Sequence, residues 1–423
     1  MSDARRSLDD RIRRLAPPRV GPFRADAYRS RLHEVRAAAW LGIALGVAFS
    51  VCFVTGVISH LIQNPLPWFS WPARPAWLYR VTQGVHVATG IAAIPLLLAK
   101  LWVVAPLFWT WPPFRGVAHV AERLSLVPLV GGALFQLFTG IGSINGFRPW
   151  GFSFPAAHYA GAWIAIGGLV IHVGAKLHIA ARALTRSSET GSHLPAGAPV
   201  AADPLDAAGA PAAADGPRPA SPVGGLSRRG FLWTVTASAG AVTLATVGQT
   251  VQPLRRLAVL APRDPAVGPQ GVPVNKTARS ARVAEAATDP AYRLAVEGRV
   301  GRRLSLSLDD LRSLPQREAD LPISCVDGWS ASGTWRGIAV LDLLRAAGAD
   351  DAGSVEVVSL QAPGTAFRTS TLDRGYLLDP DTLLALELNG EPLALDHGFP
   401  IRLIAPNRPG VLQTKWLTRV VVS

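Results

Sequence analysis

Cys325 is the cysteine whose surroundings point to chemistry. The chain has two cysteines; Cys52 lies inside a long apolar segment, whereas Cys325 follows a short apolar run in LPISCVDGW. A thiolate in such a loop is a soft ligand for a thiophilic metal ion that a cofactor mostly coordinates. Free cysteine is more often a small buried hydrophobe. Residue type and spacing leave both interpretations open.

Histidines within apolar segments form the second candidate group. His86, His158 and His172 lie in segments long enough to be membrane spans, where an ionisable side chain is a functional candidate by default. At about 1.5 Å of helical rise per residue, His158 and His172 stand about 21 Å apart on similar faces of one helix. That separation suits two stacked haems, one near each side of a bilayer.

Each of these haems needs a second histidine at a similar depth. His86 can pair with His158 for the outer haem, and His33, just before the first apolar segment, can pair with His172 for the inner one. His60 is the alternative outer ligand. The competing explanation is that the histidines form hydrogen bonds between helices.

His86, His158 and His172 lie in two of four apolar segments, and each segment is long enough to cross about 30 Å of hydrocarbon. The charged fraction of 17% is low for a soluble protein. Lys and Arg concentrate in the N-terminal arm, the second loop and the segment after the fourth span, so both ends of this block are expected in the cytoplasm. The net charge of +13 thus reflects membrane topology, and no nucleic-acid partner is expected. The predicted spans are 37–59, 81–104, 124–144 and 158–180.

Composition divides the whole chain into five parts. The first is polar and rich in Arg, so no cleavable signal peptide is expected there. The third is dominated by Ala, Pro, Gly and Ser, which predicts disorder. The parts are a basic cytoplasmic arm (1–36), a four-span membrane domain (37–182), a linker (183–226), a fifth span with its preceding motif (227–252) and a soluble domain (270–423).

The motif before the fifth span is SRRGFL, at 227–232. Two adjacent arginines before an apolar run resemble a twin-arginine export signal, here placed inside the chain. The alternative is an ordinary fifth span with positive residues on its cytoplasmic side. Both interpretations place Gln252 and the residues after it outside the cell membrane.

The soluble segment has mixed periodicity. Apolar residues at helical spacing predict helices at 308–313 and 340–347, and β-rich runs predict strands at 292–300, 355–360, 400–405 and 416–422. We therefore expect an α+β domain of about 150 residues, an ordinary size for one core.

Residues from about 289 to 422 resemble the molybdopterin-binding domain of the sulfite oxidase family. The similar blocks occur in family order and include SCVDGWS, WRGIAVLDLLRAAG, GFPIRLIAP and TKWLTRVVV. The resemblance implies a molybdenum-molybdopterin cofactor with Cys325 as a sulfur ligand of the metal. It also implies cofactor-binding roles for Asn275, His397, Arg402 and Lys415. The alternative for the last three is a solvated surface position.

Two departures bear on the substrate. No Arg-x-His pair like that of sulfite oxidases precedes the domain in 275–283, and the second, dimerising domain of sulfite oxidases is not expected after it. Sulfite is therefore disfavoured as a substrate. The branch that contains periplasmic methionine sulfoxide reductase is nearer.

The membrane histidines resemble those of the dihaem cytochrome b subunits of formate dehydrogenases and nickel-iron hydrogenases. The combined prediction is a multi-pass protein of the inner (plasma) membrane: an all-α four-helix transmembrane bundle with two b haems, a fifth transmembrane helix and an extracytoplasmic molybdopterin domain. It would exchange electrons between the quinone pool and a small oxygen-atom donor or acceptor, and would meet the twin-arginine and general secretion machinery during export. The alternative is a membrane-anchored pterin-fold module that binds or senses without catalysis.

Overall fold

The computed structural model describes residues 21–23, 27–28, 30–110, 117–147, 149–185 and 226–423. Most of the predicted basic arm, the linker from 186 to 225, and Arg115 and Arg148 of the loops lie outside these ranges. The chain forms two compact units, one of residues 1–53 and 88–243, the other of residues 54–87 and 244–423. The second unit therefore combines the C-terminal residues with the segment that joins the first two long helices.

The N-terminal half is helical. A π-helical turn, Val127–Gly131, joins the helix Val117–Leu126 to the helix Gly132–Asn145, and Pro128 in this turn cannot donate a backbone hydrogen bond. Residues 117–123, which were expected in the loop between the second and third predicted spans, are helical instead. The helices are α1 (Val35–Gln63), α2 (Leu78–Phe108), α3 (Val117–Leu126), α4 (Gly132–Asn145), α5 (Phe154–Thr185) and α6 (Arg228–Val247).

Within the described residues, five helical segments are long and apolar enough to cross a membrane: Val35–Gln63, Leu78–Phe108, Arg123–Asn145, Phe154–Gly174 and Arg228–Val247. Their exposed side chains include large hydrophobic residues such as Val54, Trp163 and Ile171, which a lipid environment would cover. This half of the chain is that of a membrane protein.

At one end of the first unit the starts of α1 and α6 meet the end of α2. Arg228 Nη1 lies 3.2 Å from Glu34 Oε2, and the rings of Trp102 and Phe231 lie 5.5 Å apart. Ala37 and Val235 also pack in one cluster. The paired arginines that begin α6 therefore lie at the same end of this unit as the start of α1.

The C-terminal residues form a mixed α+β structure with two sheets, in strand orders β2-β1-β10-β5-β6 and β3-β4-β7-β8, with β9 pairing β7. The strands are β1 (Leu294–Gly298), β2 (Leu304–Leu306), β3 (Arg317–Ser324), β4 (Ser330–Ala339), β5 (Ser354–Ser359), β6 (Thr369–Asp373), β7 (Leu383–Leu388), β8 (Glu391–Pro392), β9 (Arg402–Ile404) and β10 (Leu417–Val422). The helices are α7 (Ala278–Ala281), α8 (Ala284–Ala287), α9 (Leu308–Ser313), α10 (Val340–Ala346) and α11 (Arg374–Leu377).

The predicted helices and strands of this region are confirmed at nearly the predicted bounds. α9 begins at a capping box, because Ser307 accepts from the Asp310 backbone while the Asp310 side chain accepts from Ser307. α10 buries Val340, Leu343 and Leu344, the spacing that predicted it. The sequence did not reveal β3 and β4, which pair in register from Arg317 opposite Gly337 to Ser324 opposite Ser330. Residues 325–329 are consequently the loop of a hairpin.

Candidate functional site

The β3–β4 hairpin positions Cys325 in a tight turn. The Cys325 N–H donates to Trp329 O at 2.8 Å, and the Gly328 N–H donates to Cys325 O at 3.1 Å. Gly328 has φ +95°, in the left-handed region that favours glycine. Cys325 is buried, and it packs with Leu321, Trp335 and Ile404. The backbone of the turn thus fixes where the sulfur points.

Two polar side chains lie beside the sulfur. Asn275 Nδ2 lies 2.8 Å from Cys325 Sγ, and Asp327 Oδ2 lies 3.3 Å from the same atom. Burial raises the pKa of the Cys325 thiol, and the negative charge of Asp327 raises that pKa further. The thiol is therefore protonated in the structure as described, and a bound cation is what would convert it to a thiolate. Cys325 thus has polar neighbours at its sulfur as well as the apolar residues that pack around it.

Lys276, the residue after Asn275, connects the surroundings of the sulfur to a group of cationic side chains. Lys415 Nζ donates to Lys276 O at 2.5 Å and to Asp396 O at 2.8 Å. Lys276 Nζ in turn contacts Gln361 Oε1. Burial, then the charge of Arg402, lowers the pKa of Lys415 to about 7. A negative charge bound beside Lys415 would therefore stabilise its protonated form.

Arg402 is fully enclosed. It is 2% exposed, stacks over the Trp335 ring at 4.9 Å, and donates to His397 O at 2.9 Å and Gln413 O at 3.1 Å. Burial lowers its pKa to about 9. These hydrogen-bond partners of the guanidinium are neutral carbonyl oxygens, so they do not compensate its positive charge. A buried charge without a counter-ion is unfavourable, and a bound anion would compensate it. The interpretation of Arg402 as a solvated surface charge is wrong.

His397 is also buried, at 2% exposed, and its Nε2 lies 2.8 Å from Pro269 O. Burial, with Arg402 nearby, lowers its pKa to about 4, so the ring is neutral at physiological pH and donates to that carbonyl. The His397 ring thus contacts the segment that contains Pro269, and its backbone oxygen accepts from Arg402. It too is not a solvated surface residue.

These residues form one connected network that fits the molybdopterin group. Cys325, Asn275, Lys415, His397 and Arg402, which are distant in sequence, are joined by the contacts above. A single buried sulfur suits a thiophilic metal, and cations that donate to carbonyls suit a phosphate. Two buried nitrogens, Trp329 Nε1 in the cysteine loop and Arg408 Nε, have no hydrogen-bond partner among the described residues. Such orphaned donors are expected where a polar ligand binds.

Among the membrane histidines, His33 and His158 have defined contacts in the first unit. His33 Nδ1 lies 3.0 Å from Val103 O, so this nitrogen must carry the proton. Thr139 Oγ1 donates to Phe135 O at 2.7 Å and lies 2.9 Å from His158 Nδ1, so His158 donates to Thr139. Both rings therefore have Nε2 as the nitrogen with the lone pair, the atom that a haem iron would take.

The other three histidines are placed less specifically. His86 belongs to the second unit, where its Nδ1 lies 3.5 Å from Thr55 Oγ1. A Cβ on Gly56 would lie 2.9 Å from His86 Cε1, so glycine makes room for that ring. His60 lies near the end of α1 and His172 lies in α5. Pairing of His86 with His158 and of His33 with His172 stays a prediction.

Sequence reasoning missed Asp327, Gln83 and Asn407. Asp327 contacts the sulfur, Gln83 Nε2 donates to Val326 O at 2.6 Å, and Asn407 binds residues of the loop before α2. Asp327 stands two residues from Cys325, so its proximity was available as a signal. The two amides carried none, because their partners lie hundreds of positions away.

Comparison with known proteins places the domain. Residues 281–423 match the family model described as "Oxidoreductase molybdopterin binding domain". The C-terminal part of the chain is therefore similar to domains of this kind. The match covers the cysteine hairpin and the buried Arg402, and begins after Asn275 and Lys276.

Two curated proteins illustrate the similarity. Mouse (Mus musculus) mitochondrial sulfite oxidase is 35% identical over 158 residues, which cover 31% of this chain and 29% of that protein. The "Putative protein-methionine-sulfoxide reductase subunit YedZ1" of Azospira oryzae is 32% identical over 137 residues, covering 31% of this chain and 49% of that protein. The chain therefore spans less than half the length of either relative.

Among solved structures, sulfane dehydrogenase SoxCD from Paracoccus pantotrophus aligns with a TM-score of 0.29 at 22% identity, over 31% of this chain and 38% of that one. This likeness is too low to support any argument about the site.

Proposed function

We propose that the protein is a membrane-bound, molybdopterin-dependent oxidoreductase that transfers an oxygen atom to or from a small substrate. The observation that carries the proposal is the buried Cys325 sulfur, held by a hairpin turn and connected through Asn275 and Lys276 to Lys415 and Arg402. The similarity of residues 281–423 to molybdopterin-binding oxidoreductases supports it. When bound, the cofactor would supply two-electron oxygen-atom transfer at its metal.

The protein's own residues do the positioning. Cys325 would bind the metal through its sulfur, and the Asn275 amide would orient that sulfur by donating to it. Arg402 and Lys415 would hold the anionic end of the cofactor, because Arg402 is buried, Lys415 is partly buried, and both donate to neutral carbonyls. Asn275 is exposed, so a substrate can approach the sulfur from its side.

Electron exchange with the membrane is the second part of the proposal. His33, His86, His158 and His172 would bind two b haems, with His60 as the alternative to His86, and a quinone or quinol would be the partner in the bilayer. The Nδ1–H contacts of His33 and His158 support this role, since they orient Nε2 for iron. The molybdopterin domain would lie on the extracytoplasmic side, exported after the SRRGFL motif.

A sulfoxide is the preferred substrate class. The lack of an Arg-x-His pair in 275–283 argues against sulfite, and one of the similar proteins bears a sulfoxide reductase name. The test is a screen of sulfoxides, N-oxides and sulfite against purified membranes, with haem redox state as the readout. Re-oxidation of dithionite-reduced haem by a sulfoxide supports the proposal. Membranes with no b-type signal and no molybdenum would overturn it, and they would favour a binding module without catalysis.

A further inference from the structure

The cysteine turn rests on one turn of α2. Gln83 Nε2 donates to Val326 O at 2.6 Å, and a Cβ built on Gly328 would lie 2.8 Å from Val87 Cγ2. Gln83 and Val87 are 5% and 7% exposed. Because residues four apart share a helix face, both contacts come from one stripe of α2. The turn that holds Cys325 is thus held by a side-chain amide on one side of Gly328 and by an apolar contact at Gly328 itself.

A second group of contacts fixes the chain that leads into α2. Asn407, 1% exposed, accepts from the Tyr79 N–H on Oδ1 at 2.6 Å and donates from Nδ2 to Pro72 O at 2.7 Å. The Asn407 carbonyl accepts from Trp71 Nε1 at 3.1 Å. One residue of the C-terminal chain therefore satisfies three polar groups of the segment 71–79.

An ion pair ends this contact region. Arg74 donates to both carboxylate oxygens of Asp379, at 2.7 and 2.9 Å, and also contacts Asp381. Ala73 and Ala76 add to the cores of the C-terminal chain. Residues 71–87 thus bind the C-terminal chain through hydrogen bonds, an ion pair and buried apolar side chains. We name residues 71–87 the docking segment.

We propose that the docking segment is a positioning device that fixes the separation between Cys325 and His86, with Gln83 as its central residue. His86 lies between Gln83 and Val87, in the same helical turn that holds the cysteine loop. This inference rests on the proposed function, because it assigns the contact a purpose only if both sites carry redox groups. Electron transfer slows steeply as the distance between two redox centres increases. A contact that fixes this distance therefore keeps the electron-transfer rate from varying.

The electron balance is simple in the reductase direction. One quinol would give two electrons and two protons, and a sulfoxide would take up two electrons and two protons to become a sulfide and water. The docking segment would hold the two proposed redox sites at a fixed separation while the electrons pass one at a time. In the other direction the same contact carries electrons toward a quinone. Gln83 takes no part in bond making or breaking; it holds Val326 and therefore the cysteine turn.

The test uses Gln83→Met in the full chain, since methionine keeps the length of the side chain and removes the donor. Hydrogen exchange is measured at the 325–329 amides, with and without cofactor. We expect roughly tenfold faster exchange, the effect of one lost hydrogen bond. The matched control is Gln63→Met, because Gln63 Nε2 donates to Ser59 of its own helix; exchange at 325–329 should not change. If Gln83→Met fails to fold, Val87→Ala, which removes the apolar contact of α2 at Gly328, should give an increase in the same direction.

A second readout addresses electron flow. Pre-reduced protein is mixed with a sulfoxide, and haem re-oxidation is followed by stopped flow. We expect Gln83→Met to slow it at least severalfold, with the haem spectrum and the turnover driven directly by a reduced viologen unchanged. Unchanged exchange at 325–329 overturns the docking role, and faster exchange with unchanged haem re-oxidation overturns the electron-transfer role. Absence of haem or molybdenum overturns the proposed function, while the exchange measurement still decides whether Gln83 holds the turn.

Discussion

Asn275 Nδ2 lies 2.8 Å from Cys325 Sγ, although the two residues are 50 positions apart in sequence. The β3–β4 hairpin presents the sulfur, and the segment before α7 brings the amide to it. The same segment continues through Lys276 to the buried cations. This contact is what turns a lone cysteine and several scattered polar residues into one site.

The carboxylate of Asp327 predicts how the cysteine titrates. In a cofactor-free Cys52→Ser background, Asp327→Asn removes a negative charge beside the sulfur and so lowers the pKa of Cys325. More thiolate is then present at any given pH, and alkylation by iodoacetamide at pH 8 should be faster than in the Cys52→Ser parent. A rate equal to or below that of the parent would show that Asp327 does not act on the sulfur.

Lys415 predicts a pH dependence of stability in the cofactor-free protein. The folded protein releases the Lys415 proton near pH 7, whereas the unfolded chain keeps it to about 10.5. Unfolding therefore takes up a proton between these values, and the free energy of unfolding from this residue rises as pH increases from 7 toward 10. Thermal unfolding of the wild type should show this rise, and Lys415→Met should reduce it. Identical slopes in the two proteins would contradict the burial of this charge.

The ion pair of Arg74 predicts a thermodynamic coupling. Asp379 is 6% exposed in its side chain and Arg74 is 51% exposed, so Arg74→Ala leaves a nearly buried carboxylate without its partner. We expect a loss of about 1–2 kcal/mol, because solvent on the Arg74 side screens the pair. Asp379→Asn added to Arg74→Ala should recover part of that loss. Additive losses in a double-mutant cycle would show that the pair is not coupled.

The hydrogen bond of His158 gives a test of the proposed haem. Thr139→Val removes the acceptor of the His158 Nδ1–H and would weaken the ring as an electron donor to the iron of that haem. Spectroelectrochemical titration should show a b-type haem with a raised midpoint potential. Thr243→Val is the matched control and should leave the potential unchanged, because the buried hydroxyl of this α6 threonine has no hydrogen-bond partner among the described residues. A shift of equal size in the control would remove the role of Thr139.

Local patterns predicted much of the C-terminal region, and long-range contacts did not follow from them. The apolar residues of α10 and the β-rich run of β10 are signals within a few positions, so their elements were predicted from the sequence. Gln83 contacts Val326 across 243 positions, and Asn407 contacts Pro72 across 335. An amide side chain has no pattern that identifies its partner, because both donor and acceptor are common to every loop. The docking segment could consequently be identified only from the folded structure.

The site residues show the same division. Arg402, Lys415, His397 and Asn275 were predicted by resemblance to a family, while the burial of Arg402 and His397 and the contacts that connect the four residues were not. Burial of Arg402 depends on stacking over Trp335, which is placed by β4, a strand that the sequence analysis did not predict. The bounds of the third span, 124–144, were predicted from its apolar run, but the π-helical turn at Val127–Gly131 within it was not; the turn reflects the missing N–H of Pro128.

The most direct measurement is molybdenum analysis with X-ray absorption on the purified full-length protein and its Cys325→Ser variant. The account predicts molybdenum in the wild type with one sulfur neighbour more than in the variant, whose domain still folds because serine is close to cysteine in size. A wild-type protein purified without molybdenum, or a variant whose metal has the same sulfur neighbours, would contradict it.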